Sequence, residues 1–212
     1  EIRFLEAVTA SGTSLRQRLP EIVAAGRWAS TDYLVTTFVK SPPSHTWFAR
    51  RYLKRRDSLN EWFVAASVFL SDLQGDVALR RQLSIPEGSF LQHGDFHFLN
   101  ILGRPTPDIV IDWEDWSSEK VRYRDMVLCL VLPTMIADRP ESRRESFRRH
   151  WVRGSAWSDS VRPLLDDFLE GVSFHQALHD TMCQQADRLS KRAPDLGREF
   201  MSYAGDVADI LD

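Results

Sequence analysis

The sequence predicts an α+β fold in which a few short strands accompany a mainly helical region. Two segments near the start, 21–26 and 32–39, are rich in β-branched and apolar residues and are separated by a polar turn. The chain after Asp125 instead carries apolar residues at helical spacing. A Ser-Pro-Pro-Ser run at 41–44 breaks the second strand, so we expect a boundary between residues 1–40 and 41–212.

The elements of the first hundred residues can be assigned in order. Residues 1–8 have apolar side chains at helical spacing and predict a helix before the two strands. Residues 59–70 are apolar on almost every side, which is typical of a helix buried in the centre of the larger region.

The second half begins with a predicted hairpin. Residues 98–102 and 108–112 are expected to form two short strands, because the Gly and Pro residues at 103–107 favour a turn. After Asp125 we expect only helices. Their breaks are predicted near Pro133, Pro140, Gly154, Pro163 and Pro194.

Composition is that of an ordinary globular protein. The chain has 212 residues, of which 43% are hydrophobic and 27% charged, and its net charge of −3 predicts no nucleic-acid partner. No run of 18 apolar residues suggests a membrane span, and the first residues do not form a signal peptide. We therefore expect a cytoplasmic protein without a membrane partner.

The most specific signal lies in His93-Gly94-Asp95-Phe96-His97-Phe98-Leu99-Asn100, followed by Val110-Ile111-Asp112-Trp113-Glu114. Four residues separate Asp95 from Asn100, as in the catalytic loop of protein kinases. Phosphoryl transfer needs hard oxygen ligands for Mg²⁺ and one carboxylate near the acceptor hydroxyl. The predicted hairpin would bring Asn100 and Asp112 to one end of such a site.

The pattern His-Gly-Asp-x4-Asn followed by Ile-Asp-Trp-Glu resembles the aminoglycoside phosphotransferase and choline kinase family, whose members are relatives of the protein kinases. The resemblance implies a protein-kinase-like two-lobe fold with a truncated N-lobe at 1–40 and a mainly helical C-lobe at 41–212. It implies ATP-dependent phosphorylation of a hydroxyl group on a small molecule. Asp95 would be catalytic, Asn100 and Asp112 would hold Mg²⁺, and Asp125 would anchor the loop.

The same resemblance implies further nucleotide contacts. Glu1, or less favourably Glu6, corresponds to the helix glutamate that pairs with the ATP-clamping lysine. Backbone groups near Thr37 and Val39 would meet the adenine at the hinge. The chain has four lysines, and none of them occupies the clamp position. Those lysines are Lys40, Lys54, Lys120 and Lys191.

Residues 1–40 contain neither the Gly-rich loop nor the lysine-bearing strand of the family, so we expect an N-lobe that lacks most of its nucleotide-covering part. An N-lobe truncated in this way would bind ATP weakly and could self-associate through its incomplete sheet. A non-catalytic, regulatory kinase-like module is therefore an alternative to the active enzyme.

Two other interpretations remain open at this stage. His93, Asp95 and His97 alternate, so on a strand they would share one face, and with Asp112 they could form a metal-dependent hydrolase site. Separately, relatives that phosphorylate cationic sugars use acidic residues of the C-terminal helices. The candidates here are Asp159, Asp166, Asp167 and Glu170, for which ordinary charge at helix N-termini is an equal alternative.

Overall fold

The computed structural model describes residues 1–38, 59–103, 108–137 and 142–211. These residues form an α+β protein with small antiparallel sheets and a high helical content. The predicted boundary at residue 40 lies outside the described ranges. Within those ranges, no helix combines the length and apolar character needed to cross a membrane.

The first elements follow the sequence prediction closely. Helix α1 (Ile2–Ser11) is followed by strands β1 (Ile22–Trp28) and β2 (Thr31–Thr36), which pair antiparallel. The apolar side of α1 is buried, and the ring of Phe4 stacks on that of Trp113 with 4.0 Å between centroids. This aromatic contact attaches the N-terminal helix to the segment that carries the predicted metal ligands.

Helix α2 (Asn60–Gly75) confirms the helix predicted at 59–70 and extends it by five residues, and α3 (Val77–Gln82) follows it. The burial of α2 is less complete than its apolar sequence predicts. Trp62 and Phe69 are fully buried, but Val64 and Val68 on the opposite face are about half exposed. One side of the helix therefore supplies the core.

Two small sheets lie between these helices and the C-terminal region. Strand β3 (Phe90–Gln92) pairs antiparallel with β6 (Ser117–Glu119), which the sequence pattern did not predict. Strands β4 (Ile101–Leu102) and β5 (Ile109–Val110) also pair antiparallel and form the predicted hairpin, shorter than expected. Residues 104–107 of its turn lie outside the described ranges.

The C-terminal region is helical, as predicted. Its main helices are α4 (Arg124–Ala137), α5 (Arg143–Phe147), α6 (Ala156–Val161), α7 (Asp166–Leu169), α8 (Phe174–Ser190) and α9 (Pro194–Ala208).

The break predicted at Pro133 is wrong, because α4 continues through this proline. A proline costs one backbone hydrogen bond and usually breaks a helix. Here the preceding residues 126–131 are fully buried, and this packing maintains the helix.

Helices α8 and α9 form the most extensive helix pair of the fold. Their close approach requires Gly197. A Cβ at this position would lie 2.9 Å from the Ser190 backbone nitrogen and 3.0 Å from the Ala186 carbonyl oxygen. The absence of a side chain therefore lets α9 pack directly on the backbone of α8, the helix that brings Arg188 to the site described next.

Candidate active site

The predicted catalytic loop, residues 93–100, leaves the end of β3 and depends on Gly94 for its path. Gly94 has φ +88°, and a Cβ there would lie 2.3 Å from the Asp115 carbonyl oxygen. No side chain fits in that space, and the backbone conformation also favours glycine. The glycine of the motif is thus required by the contact between the loop and the segment after β5.

Asp125, at the start of α4, anchors this loop as predicted. Its buried carboxylate accepts hydrogen bonds from the backbone N–H groups of His93 and Gly94, the latter at 3.0 Å. Burial raises the pKa of Asp125 to about 6, although these hydrogen bonds and the charge of Arg124 oppose the shift. Asp125 is therefore a positioning residue for the loop and lies away from the reacting groups.

His93 also has a structural role, because both of its ring nitrogens are engaged. Nδ1 accepts a hydrogen bond from the Asp95 N–H at 3.2 Å, and Nε2 donates to the Ile111 carbonyl at 2.9 Å. Burial lowers the pKa of His93 to about 4, so the ring is neutral near pH 7. This ring links the catalytic loop to the strand that leads to Asp112.

The alternating trio that a metal-dependent hydrolase would need is not formed. β3 ends before the trio begins, so His93, Asp95 and His97 do not share the face of a strand. Among the described residues, no group of three or more His, Cys, Asp or Glu side chains is arranged to hold a metal ion. The geometry therefore gives no support to the hydrolase alternative.

Three side chains surround the carboxylate of Asp95. Oδ2 accepts from Asn100 Nδ2 at 3.1 Å and lies 3.3 Å from His97 Nε2, while Oδ1 lies 2.9 Å from Arg188 Nη2. His97 Nδ1 accepts from the Leu99 N–H, which leaves the proton on Nε2 for Asp95. A carboxylate offers about four lone-pair directions, so one remains for a substrate hydroxyl.

These contacts keep Asp95 ionised. Burial alone would raise its pKa, but the hydrogen bond from His97 and the guanidinium of Arg188 hold the pKa well below its usual range. With its side chain 26% exposed, Asp95 is a fixed, negatively charged acceptor that a bound molecule can still reach.

The short hairpin pairs the backbone of Asn100 with that of Ile111, the residue before Asp112. The Ile111 N–H donates to the Asn100 carbonyl at 2.9 Å. Asn100 Nδ2 also donates to the Asp95 backbone carbonyl at 3.0 Å. Since the amide nitrogen is committed to Asp95, Oδ1 is the atom of Asn100 that remains to ligate a cation.

Asp112 adopts a left-handed backbone conformation, with φ 65° and ψ 59°. Its side chain is exposed, and it has no ion pair among the described residues. Burial raises its pKa, and the nearby charges of Glu114, Asp95 and Glu1 add to this effect. Such uncompensated negative charge together with an amide oxygen suits a hard divalent cation such as Mg²⁺.

A cavity of about 380 Å³ lies between the N-terminal hairpin and the β4–β5 hairpin, which follows the catalytic loop in the chain. Glu1, Thr37, Leu102 and Ile111 are among its lining residues. The Thr37 N–H donates to the Glu21 carbonyl at 2.8 Å, so its own carbonyl is the group that could meet a base. Val39, the other predicted hinge contact, lies outside the described residues, while Glu6 is exposed on α1.

A second cavity, of about 230 Å³, is lined by Asp95 itself. Helices α4, α8 and α9 supply most of its wall, which also includes His97 and Arg188. Asp95 therefore lies at the edge of a cavity large enough for a small molecule.

Sequence reasoning missed Arg188 altogether. Besides Asp95, it contacts the Gly94 carbonyl and Asp115 Oδ2, both at 2.8 Å. It lies 93 residues after Asp95 in a helix without a motif, so no local pattern identifies it. Only the packing of α8 against the loop reveals this contact.

Comparison with known proteins adds no further constraint. The chain matches no protein-family model, and no characterised protein matches it significantly.

Proposed function

We propose that this chain is a small-molecule kinase with a protein-kinase-like fold of the aminoglycoside phosphotransferase and choline kinase type. It would transfer the terminal phosphoryl group of ATP to a hydroxyl group. The observation that carries this proposal is the Asp95–Asn100 side-chain hydrogen bond, at 3.1 Å, together with the cavity that Asp95 lines.

The residues divide into two groups by the partner that they would meet. Asn100 Oδ1 and the Asp112 carboxylate would hold Mg²⁺, whose chemistry is to neutralise charge on the β- and γ-phosphate oxygens. The larger cavity would take the adenosine, with the Thr37 carbonyl accepting from the base and Leu102 and Ile111 supplying apolar contacts. Glu1, the counterpart of the glutamate that pairs with the clamping lysine in the family, lines the same cavity.

Asp95 would act on the acceptor. Its one free lone-pair direction accepts the hydrogen bond of the substrate hydroxyl and aligns the oxygen with the phosphorus. The low pKa of Asp95 makes it a weak base, so its main contribution is positioning, and it takes the proton as the new P–O bond forms. His97 and Arg188 hold the carboxylate in this orientation.

The test separates nucleotide binding from transfer with two variants. Binding of a fluorescent ATP analogue is measured with and without Mg²⁺, and ADP release is measured with a panel of hydroxyl compounds. Asp112→Asn should weaken the Mg²⁺-dependent binding by about tenfold or more, whereas exposed Asp209→Asn serves as the matched control.

Asp95→Asn should leave nucleotide affinity within about twofold and lower turnover by about 10²- to 10⁴-fold. Mg²⁺-dependent binding without transfer to any hydroxyl compound would favour the non-catalytic module instead. Binding that is insensitive to Asp112→Asn would refute the proposed metal site.

A further inference from the structure

The cavity beside Asp95 is electrically balanced. Two acidic and two basic side chains line it, and they are paired with each other: Asp95 with Arg188 at 2.9 Å, and Glu199 with Arg143 at 3.6 Å. The other oxygen of the Glu199 carboxylate accepts a hydrogen bond from the hydroxyl of Tyr203. A cationic substrate would find no unpaired carboxylate in this wall.

The acidic residues considered for cationic sugars lie elsewhere. Asp166 and Asp159 line a different hollow with Arg162, and neither Asp167 nor Glu170 lines the cavity at Asp95. This location does not support the expectation that these four residues contact the acceptor. The residues that line the cavity at Asp95 therefore determine which kind of acceptor molecule fits there.

Most of that wall is apolar. Five aliphatic or aromatic side chains from three helices line it, and they would cover the carbon skeleton of a bound molecule. They are Leu132, Met135, Leu189, Leu196 and Phe200.

Within the part of the chain that the structure describes, two buried polar atoms of residues that line this cavity have no hydrogen-bond partner. Oε1 of Gln185 and Nε of Arg188 are both inaccessible and unpaired, and the Gln185 residue is only 1% exposed. The two residues are three positions apart on α8, so they project from neighbouring turns of one helix face. Buried polar atoms are nearly always satisfied, so an unpaired acceptor and an unpaired donor from two residues of one cavity wall suggest groups that a ligand completes.

We propose that the acceptor is a neutral, largely apolar hydroxyl compound that carries a donor and an acceptor group, such as an amide, read by Gln185 and Arg188. This inference rests on the proposed function for the role of the hydroxyl at Asp95. The recognition of the rest of the molecule depends only on the cavity.

Three matched probes test the proposal. 4-(Hydroxymethyl)benzamide has the hydroxyl, an apolar ring and an amide; benzyl alcohol lacks the amide; 4-(hydroxymethyl)benzylamine replaces it with a cation. Affinity is measured by calorimetry with and without Mg²⁺ and a non-hydrolysable ATP analogue, and transfer is measured by phosphorus NMR with ATP.

The amide should bind about tenfold or more tightly than either other probe, as expected for hydrogen bonds to buried groups. Gln185→Leu should remove this preference over benzyl alcohol. Gln184→Leu, the same substitution on the exposed side of the helix, should preserve it.

Preference for the benzylamine, lack of amide binding, or an amide preference that survives Gln185→Leu would each overturn the inference. The proposed function fails separately. If Mg²⁺-ATP binds and the benzylamine is phosphorylated, the kinase assignment stands while the neutral acceptor class is wrong. If no probe is phosphorylated but the amide binds selectively through Gln185, the cavity assignment stands without the kinase.

Discussion

Replacing Arg188 by methionine tests whether one residue from α8 orders the site. The guanidinium makes hydrogen bonds of 2.8–2.9 Å to the Asp95 and Asp115 carboxylates, and its side chain is 19% exposed. Each charged hydrogen bond contributes about 1.5–3 kcal/mol. Methionine keeps the apolar stem, and partial solvent access to both carboxylates offsets some of the loss. We therefore expect a destabilisation of about 3 kcal/mol at pH 7.

Arg192→Met is the matched control. Arg192 also contacts Asp115, at 3.1 Å, and pairs with Glu114, but its side chain is 58% exposed and it does not contact Asp95. Exposed ion pairs of this kind contribute less than about 1 kcal/mol. Urea unfolding of both variants and of the wild type gives the difference in unfolding free energy that each substitution causes.

The pH dependence follows from the depressed pKa of Asp95. A carboxyl whose pKa is lower in the folded protein stabilises the fold above its ordinary value of 3.8, and this contribution is lost as the pH falls towards the folded value. The difference in unfolding free energy between the wild type and Arg188→Met should therefore become smaller below about pH 3.8. The reasoning is refuted if Arg188→Met is no more destabilising than Arg192→Met. It is also refuted if the difference in unfolding free energy between the wild type and Arg188→Met does not change on acidification.

Two further predictions concern Asp125 and the cavity proposed for the nucleotide. Burial raises the pKa of Asp125 from 3.8 to about 6, so the folded state binds the proton more tightly and this residue lowers stability as the pH rises through that interval. The unfolding free energy of Asp125→Asn minus that of the wild type should therefore increase by about 3 kcal/mol between pH 3 and pH 7. If urea titrations give the same difference at both pH values, the burial argument is contradicted. Leu102→Glu should lower ATP affinity about tenfold or more by placing a charge in the cavity, whereas Leu102→Met should bind normally; equal affinities by fluorescence titration would place the nucleotide elsewhere.

Local patterns predicted much of the fold. The spacing of apolar residues located α1, α2 and the first hairpin to within a few residues. Each of these elements buries one apolar side, and the repeat that produces such a side is visible within a short segment. The pairing of β3 with β6 could not be read in this way. Each strand has only three residues, and their partners lie more than twenty residues apart.

The error at Pro133 has a related cause. A proline is a local signal for a helix break, but burial of the preceding part of α4 outweighs the loss of one backbone hydrogen bond. The low helix propensity of proline correctly predicts an energetic cost at Pro133, but only the packing around α4 determines whether the helix tolerates that cost.

For the candidate site, the sequence alone determined which oxygen-bearing groups come together. Asp95 and Asn100 share one loop, and a short hairpin brings Asp112 near them, so chain connectivity suffices. The tertiary structure decided the surroundings of these groups: the charge that holds Asp95 ionised and the wall of the cavity beside it. Arg188 on α8 contacts the loop and Gln185 on the same helix lines the cavity, and both are brought there only because helices pack by burying apolar faces between residues far apart in the chain.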